Sequence, residues 1–196
     1  MYNVRFKSHH DASRLLKNKF DANPEKQEYL AGLLSGPALS KRAVYLHVPF
    51  CNKICSFCPF HRTDRLKRRE YDEILISEIE SIRGYEYMKA PIDAINFGGG
   101  TPTALSPRQM GRVLRALRDS FDIKKGAEIS VETSITELTD EMTSVLIECG
   151  VNRLSVGVQT FDDKGRKLLG RRGSGAKAAQ RLADTLKAGL LTWVWT

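Results

Sequence analysis

Apolar residues recur along this chain in two alternating rhythms. Short runs rich in β-branched residues occur at 43–48 (AVYLHV), 92–97 (IDAINF), 128–131 (EISV) and 153–158 (RLSVGV), each of strand length. Each is followed, after a turn, by a segment with the 3.6-residue spacing of a half-buried helix, over 66–83, 106–120, 139–149 and 174–189. The pattern predicts a series of β-loop-α units. Local chemistry supports the helix ends: Ser106 stands before Pro107 as an N-cap before a first-turn proline, and Asp140 and Glu141 follow Thr139 where the helix dipole favours acids. Gly150 after Cys149 reads as a helix stop. Residues 1–42 read as a charged helical lead-in, interrupted by Pro24 and by SGPALS at 35–40.

Strands alternating with helices imply an α/β fold with parallel pairing, as an open doubly wound sheet or a (β/α) barrel. In both, chemistry gathers at the carboxyl ends of the strands. The distinctive motifs all fall there: three cysteines after the first run, GGGTPT after the second, Glu132 ending the third and Gln159 after the fourth. Their common position predicts one shared site.

Composition narrows the class. With 196 residues and 41% hydrophobic content the chain is long enough for one sizeable core, and disorder is not the default. No apolar run is long enough to span a membrane and the N-terminus lacks a signal-peptide core, so the expectation is a cytoplasmic protein. The formal charge of +8 concentrates at the N-terminal arm, at 62–70 and at 165–172, which suits anionic partners or, more simply, solvated rims. No aromatic-interleaved basic strand or recognition helix accompanies it, so nucleic acid is not the expected partner. His9 and His10 read as surface residues.

Cys51, Cys55 and Cys58 have C-x3-C-x2-C spacing. Thiolates so spaced can hold three corners of a [4Fe-4S] cube and leave the fourth iron open; the competing reading is a Cys3His zinc site completed by His61. Gly98, Gly99 and Gly100 strip side chains from a loop whose exit Pro102 fixes, either to admit a ligand against the main chain or to make a tight turn. The loop has neither a P-loop ending nor a dinucleotide fingerprint. Glu132 can bond ribose hydroxyls or be a surface carboxylate, Gln159 is equally open, and Cys149 reads as a packed small hydrophobe.

Together YLHVPFCNKICSFC, INFGGGTPT, NRLSVGVQTF and LGRR, over about residues 43–190, resemble the radical S-adenosylmethionine (SAM) superfamily and, within it, the oxygen-independent coproporphyrinogen III oxidase-like family. The resemblance implies a partial (β/α)6 barrel with a [4Fe-4S] cluster on Cys51, Cys55 and Cys58 and SAM on the open iron. It implies that Tyr45 and Phe57 are aromatic neighbours of SAM and that Gly99, Gly100 and Thr101 hold its methionine end. Glu132 matches a ribose or second-SAM contact; Gln159 and Arg171 match polar contacts further along. It also implies a tetrapyrrole or haem ligand and an electron donor such as flavodoxin or ferredoxin.

Two departures qualify the likeness. The oxidases proper resemble C-x3-C-x2-C-x-C, and the last of those positions is Phe60 here, which points away from coproporphyrinogen decarboxylation and toward haem chaperones or anaerobic haem-opening enzymes. From Gly189 the chain reads GLLTWVWT where relatives enter a fifth strand carrying a SAM-contacting aspartate. The expectation is therefore a core over 43–196 truncated near the fifth strand, with the fifth and sixth strands and the substrate domain missing, and an uncovered apolar face beside an unpaired edge.

Overall fold

The computed structural model describes residues 26–38, 40–58 and 69–195. Five parallel strands form one sheet in sequential order: β1 (Ala43–Val48), β2 (Ile92–Gly99), β3 (Ile123–Ser134), β4 (Arg153–Gly157) and β5 (Leu191–Trp195). The helices are α1 (Lys26–Ser35), α2 (Tyr71–Ile82), α3 (Glu86–Lys89), α4 (Pro107–Ser120), α5 (Asp140–Glu148), α6 (Asp163–Leu168) and α7 (Gly175–Lys187). Sequential parallel strands with intervening helices make this a partial (β/α) barrel, as expected. Among the described residues no helix is long and apolar enough to cross a membrane.

Strand alternation sorts the sheet into two chemically different faces. Leu46, Val48, Ile95, Phe97, Ile129, Val131, Leu154 and Val156 are buried. All but Val48 join Leu75 and Ile79 of α2, Val113 and Leu117 of α4 and Met142 and Leu146 of α5 in one cluster, the main core. Complete burial of each such side chain stabilises the fold by about 1.5–3 kcal/mol. The residues between them, Tyr45, His47, Asn96, Ser130, Glu132 and Ser155, point to the opposite face. Over β1 to β4 that face is polar.

Helix starts follow the expected chemistry. Ser106 caps α4 through Gln109, whose side chain answers Ser106 in a full capping box, and Thr139 caps α5 by accepting from the Met142 N–H. Gly150 ends α5 at φ +75°, and Cys149 is packed in the core.

Other expectations need correction. β5 is present and pairs with β4 from Arg153↔Leu191 to Gly157↔Trp195, so the fifth strand is not missing. β3 begins five residues before the expected 128: its opening IKKGA, with two lysines and Gly126 at φ +80°, lacks apolar alternation and spans a shift of register with β2. The short α6 was not anticipated. Of the helical lead-in, α1 is described; residues 1–25, with His9 and His10, and residues 59–68, with Phe60 and His61, lie outside the described residues.

Candidate functional site

The carboxyl ends of β1 to β4 open into a cleft of about 320 Å³. Ten of the eleven residues singled out from the sequence line it: Cys51, Cys55, Cys58, Phe57, Gly99, Gly100, Thr101, Glu132, Gln159 and Arg171. The exception is Tyr45, one strand step deeper on the polar face and largely exposed.

The cysteine loop follows β1 and is pinned from three sides. From β2, the Gly100 N–H donates to the Val48 carbonyl and the Thr101 N–H to the Phe50 carbonyl, both at 2.8 Å, so the glycine loop runs alongside the start of the cysteine loop. Cys51 Sγ lies 3.4 Å from Thr101 Oγ1. From the end of β3, Glu137 accepts a hydrogen bond from the Asn52 amide. From beyond β4, the Leu169 and Leu168 carbonyls accept the Ser56 N–H (3.2 Å) and hydroxyl (3.0 Å). Phe50 anchors the loop base, fully buried edge-on to Tyr71 at 4.9 Å. The four cysteines are thiols, not disulfides.

Two of the glycines are required by space. A Cβ at Gly100 would sit 2.6 Å from the Phe50 carbonyl oxygen and 3.1 Å from Cys51 Sγ. Gly99 combines φ +111° with a Cβ position 2.9 Å from the Val48 carbonyl. Next to them Tyr45 Oη lies 3.1 Å from His47 Nδ1, and its ring crosses Gly98 toward the Glu132 carboxyl. Burial raises the Glu132 pKa above its ordinary value, opposed by the Gly99 N–H and by His47. Burial, then the Glu132 charge, likewise raises the Tyr45 phenol.

The far wall carries Gln159 and Arg171. Gln159 has φ +64°, uncommon for a residue with a side chain. Arg171 donates to Ser134 Oγ at 3.0 Å, and its guanidinium carbon stands 5.7 Å from the Phe57 ring centre. Among the described residues Gln159 Oε1 and Arg171 Nε are buried without a protein partner, an arrangement suited to a polar ligand in the cleft.

Sequence reasoning missed other lining groups. Thr133, Ser134 and Ser155 belong to ordinary-looking stretches and are placed at the cleft by strand register, Glu137 by the turn after β3, and Asn52 by the cysteine loop itself. The basic run 165–172 also divides: Arg171 and Arg172 line the cleft, whereas Arg166 is buried. No three His, Cys, Asp or Glu side chains converge as a single-ion site would require among the described residues. A cubane spreads its cysteine ligands over separate irons and makes no such demand.

The chain is 36% identical over 150 residues to the anaerobilin synthase of Escherichia coli O157:H7, covering 75% of this chain and 34% of that protein. It is 35% identical over 147 residues to the heme chaperone HemW of Lactococcus lactis, covering 75% and 38%. The structure of the Escherichia coli coproporphyrinogen III oxidase HemN, a radical SAM enzyme, matches with a TM-score of 0.75 at 29% identity, over 90% of this chain and 40% of that one. The chain thus spans under half the length of each. The family model of the radical SAM superfamily matches residues 45–195, from β1 through β5, taking in the cysteine loop and the whole cleft; the chain belongs to that superfamily.

Proposed function

We propose that the chain holds a [4Fe-4S] cluster on Cys51, Cys55 and Cys58 and binds SAM beside it, in a protein that acts on a tetrapyrrole. The observation that carries this reading is the convergence of the three thiols, the Gly99–Thr101 loop, Glu132, Gln159 and Arg171 on one cleft. Their chemistry fits the groups: thiols for iron, a loop at Gly100 too tight for a Cβ beside Cys51, and two buried polar atoms on the far wall awaiting a partner. When bound, the reduced cluster supplies the electron that splits SAM into methionine and a 5'-deoxyadenosyl radical able to abstract hydrogen.

The chain's own residues bind and orient. Gly99 and Gly100 would hold the methionyl end of SAM, Glu132 would meet its ribose hydroxyls, and Arg171 and Gln159 would offer polar groups further along. The tetrapyrrole assignment rests on likeness to an anaerobilin synthase, a heme chaperone and a coproporphyrinogen III oxidase, with a basic chain to meet propionates. A soluble electron donor such as flavodoxin or ferredoxin is the expected redox partner.

Anaerobic reconstitution with iron and sulfide, followed by dithionite and SAM, is expected to yield visible cluster absorbance and 5'-deoxyadenosine. Absence of cluster absorbance overturns the reading. The likeness to HemW favours a second reading, haem carriage on the same scaffold, which predicts a haem spectral change without deoxyadenosine.

A further inference from the structure

Arg166 is 1% exposed, one of the largest fully buried side chains of the molecule, in a stretch whose composition reads as a solvated basic rim. Its guanidinium donates to four main-chain carbonyls: Nη1 to Thr160 (3.0 Å) and Val158 (3.4 Å), Nη2 to Arg172 (2.7 Å) and Nε to Gly173 (2.9 Å). The first two carbonyls flank Gln159 in sequence; the other two directly follow Arg171.

We infer that Arg166 is a positioning residue: one buried fork clamps both limbs of the 158–173 segment, so that Gln159 and Arg171 face the cleft and the turn between them seats the cysteine loop. This rests on the proposed function for what the cleft binds.

Three observations make the clamp specific. Gln159 has positive φ, and such a conformation in a residue bearing a side chain persists only where the surroundings over-determine it. Holding the carbonyls on both sides of Gln159 to one rigid group does so. The planar guanidinium presents donors in a fixed fork, which an ammonium cannot reproduce. Finally, the clamp lies beside the cysteines. The Arg171 N–H donates to the Arg166 carbonyl at 2.8 Å, closing the turn whose Leu168 and Leu169 carbonyls receive Ser56. A Cβ at Gly170 would lie 3.4 Å from the Ile54 carbonyl and 3.8 Å from Cys55 Cα, so the turn packs directly on the loop between two of the cysteines. Burial, and then the Arg171 charge, pulls the Arg166 pKa below its ordinary value while Asp163 opposes them. The four carbonyl oxygens that accept from the guanidinium offset part of the cost of burying it.

The test compares the parent chain with Arg166→Met and Arg166→Lys in two measurements. Hydrogen exchange on the chain without cofactors is expected to show the Arg171 and Ser56 amides of both variants exchanging at least about tenfold faster, with the Val131 amide of β3 unchanged. On reconstituted protein, SAM affinity, read from the SAM-induced change in the electron paramagnetic resonance signal of the reduced cluster, is expected to fall about 10–100-fold, as when supporting groups behind a ligand are removed. Iron content is measured alongside, and SAM affinity is compared per loaded cluster, because a loosened turn also lowers iron loading. Gln159→Ala added to Arg166→Met is expected to weaken SAM binding little further, because Arg166 acts through Gln159. Unchanged exchange at Arg171 and Ser56, unchanged SAM affinity, or fully additive losses overturn the clamp. If Arg166→Met does not fold, Arg166→Lys decides by the same criteria. A parent chain that shows no SAM response overturns the proposed function instead, and the exchange measurement alone then decides the clamp.

Discussion

Replacing Gly100 by alanine adds one methyl group where the structure has no room. The new Cβ would stand 2.6 Å from the Phe50 carbonyl oxygen, 3.0 Å from its carbon and 3.1 Å from Cys51 Sγ. The two nearest obstructing atoms are main chain, and that main chain is fixed twice: Phe50 is fully buried against Tyr71, and its carbonyl accepts the Thr101 N–H at 2.8 Å. Relief therefore requires the glycine loop and the cysteine loop to separate. Overpacking of this kind costs about 1–3 kcal/mol, and in a chain of this size each kcal/mol lowers Tm by about 2–4 °C. Gly98→Ala is the internal control. Its Cβ would meet the Tyr45 ring at 2.9 Å and the Glu132 carboxyl carbon at 3.2 Å, but both are side chains and the Tyr45 ring, 57% exposed, can swing away, so the cost is expected to be about 1 kcal/mol, below that of Gly100→Ala. Thermal unfolding of the two variants should rank Gly100→Ala clearly below Gly98→Ala. On the proposed function Gly100→Ala should also hold less iron after reconstitution, because Cys51 is displaced. Equal melting temperatures, or a Gly100→Ala chain that unfolds and loads iron like the parent, would refute the close approach of the two loops.

Three further outcomes are expected. Glu132 has a folded pKa above its ordinary value of 4.5, so as pH rises through and above that value its ionisation is harder in the folded than in the unfolded chain and stability falls; Glu132→Gln should remove that part of the decline, and parallel urea-unfolding profiles from pH 4.5 upward would contradict it. The buried Thr103 and Thr133 hydroxyls, 2.6 Å apart, tie the glycine-loop exit to β3; Thr133→Val strands the Thr103 hydroxyl at a cost of about 1–3 kcal/mol, and adding Thr103→Val should recover part of it in chemical denaturation. Ser106→Ala breaks the α4 capping box and should cost about 1 kcal/mol in thermal unfolding without altering iron uptake, since Ser106 does not line the cleft.

What the sequence revealed followed from how local each determinant is. β1, β2 and β4 announce themselves by short β-branched runs, and α4 and α5 by period and caps, because each signal is complete within one element. The opening of β3 is not legible because IKKGA joins two lysines to a glycine at φ +80° and spans a shift in register with β2. β5 was missed for a different reason. Leu-Thr-Trp-Val-Trp has strong strand propensity of its own, but comparison with the family's usual fifth strand overrode that local signal. α6 has six residues, too few for periodicity to register. The cleft residues that carry motifs were legible; Ser134 and Ser155 were not, because pairing between distant strands decides their direction. Arg166 illustrates the same limit: a charge in a basic run reads as surface until four carbonyls from two limbs of one turn are known to meet it.

The two faces of the sheet explain why core and site cannot be tuned separately. Glu132 lies between Val131, fully buried under the helices, and Thr133, buried against Thr103, so its aim into the cleft is set by the burial of its neighbours. A one-residue slip of β3 would carry Glu132 into the core and Val131 into the cleft, paying twice, once for a buried carboxylate and once for an exposed valine. Register is thus enforced most strongly where the proposed chemistry needs it. The same alternation places Tyr45 and His47 opposite Leu46 and Val48 in β1, so that strand turns its polar groups to the open face. The rim is held differently. The cysteine loop depends on contacts from three separate segments, through Thr101, Glu137 and Leu168–Leu169, and has Ile54 and Phe57 half exposed at its surface. Such a loop draws its order from what it touches, so ligation of its thiols and the seating of the 168–170 turn are expected to reinforce one another.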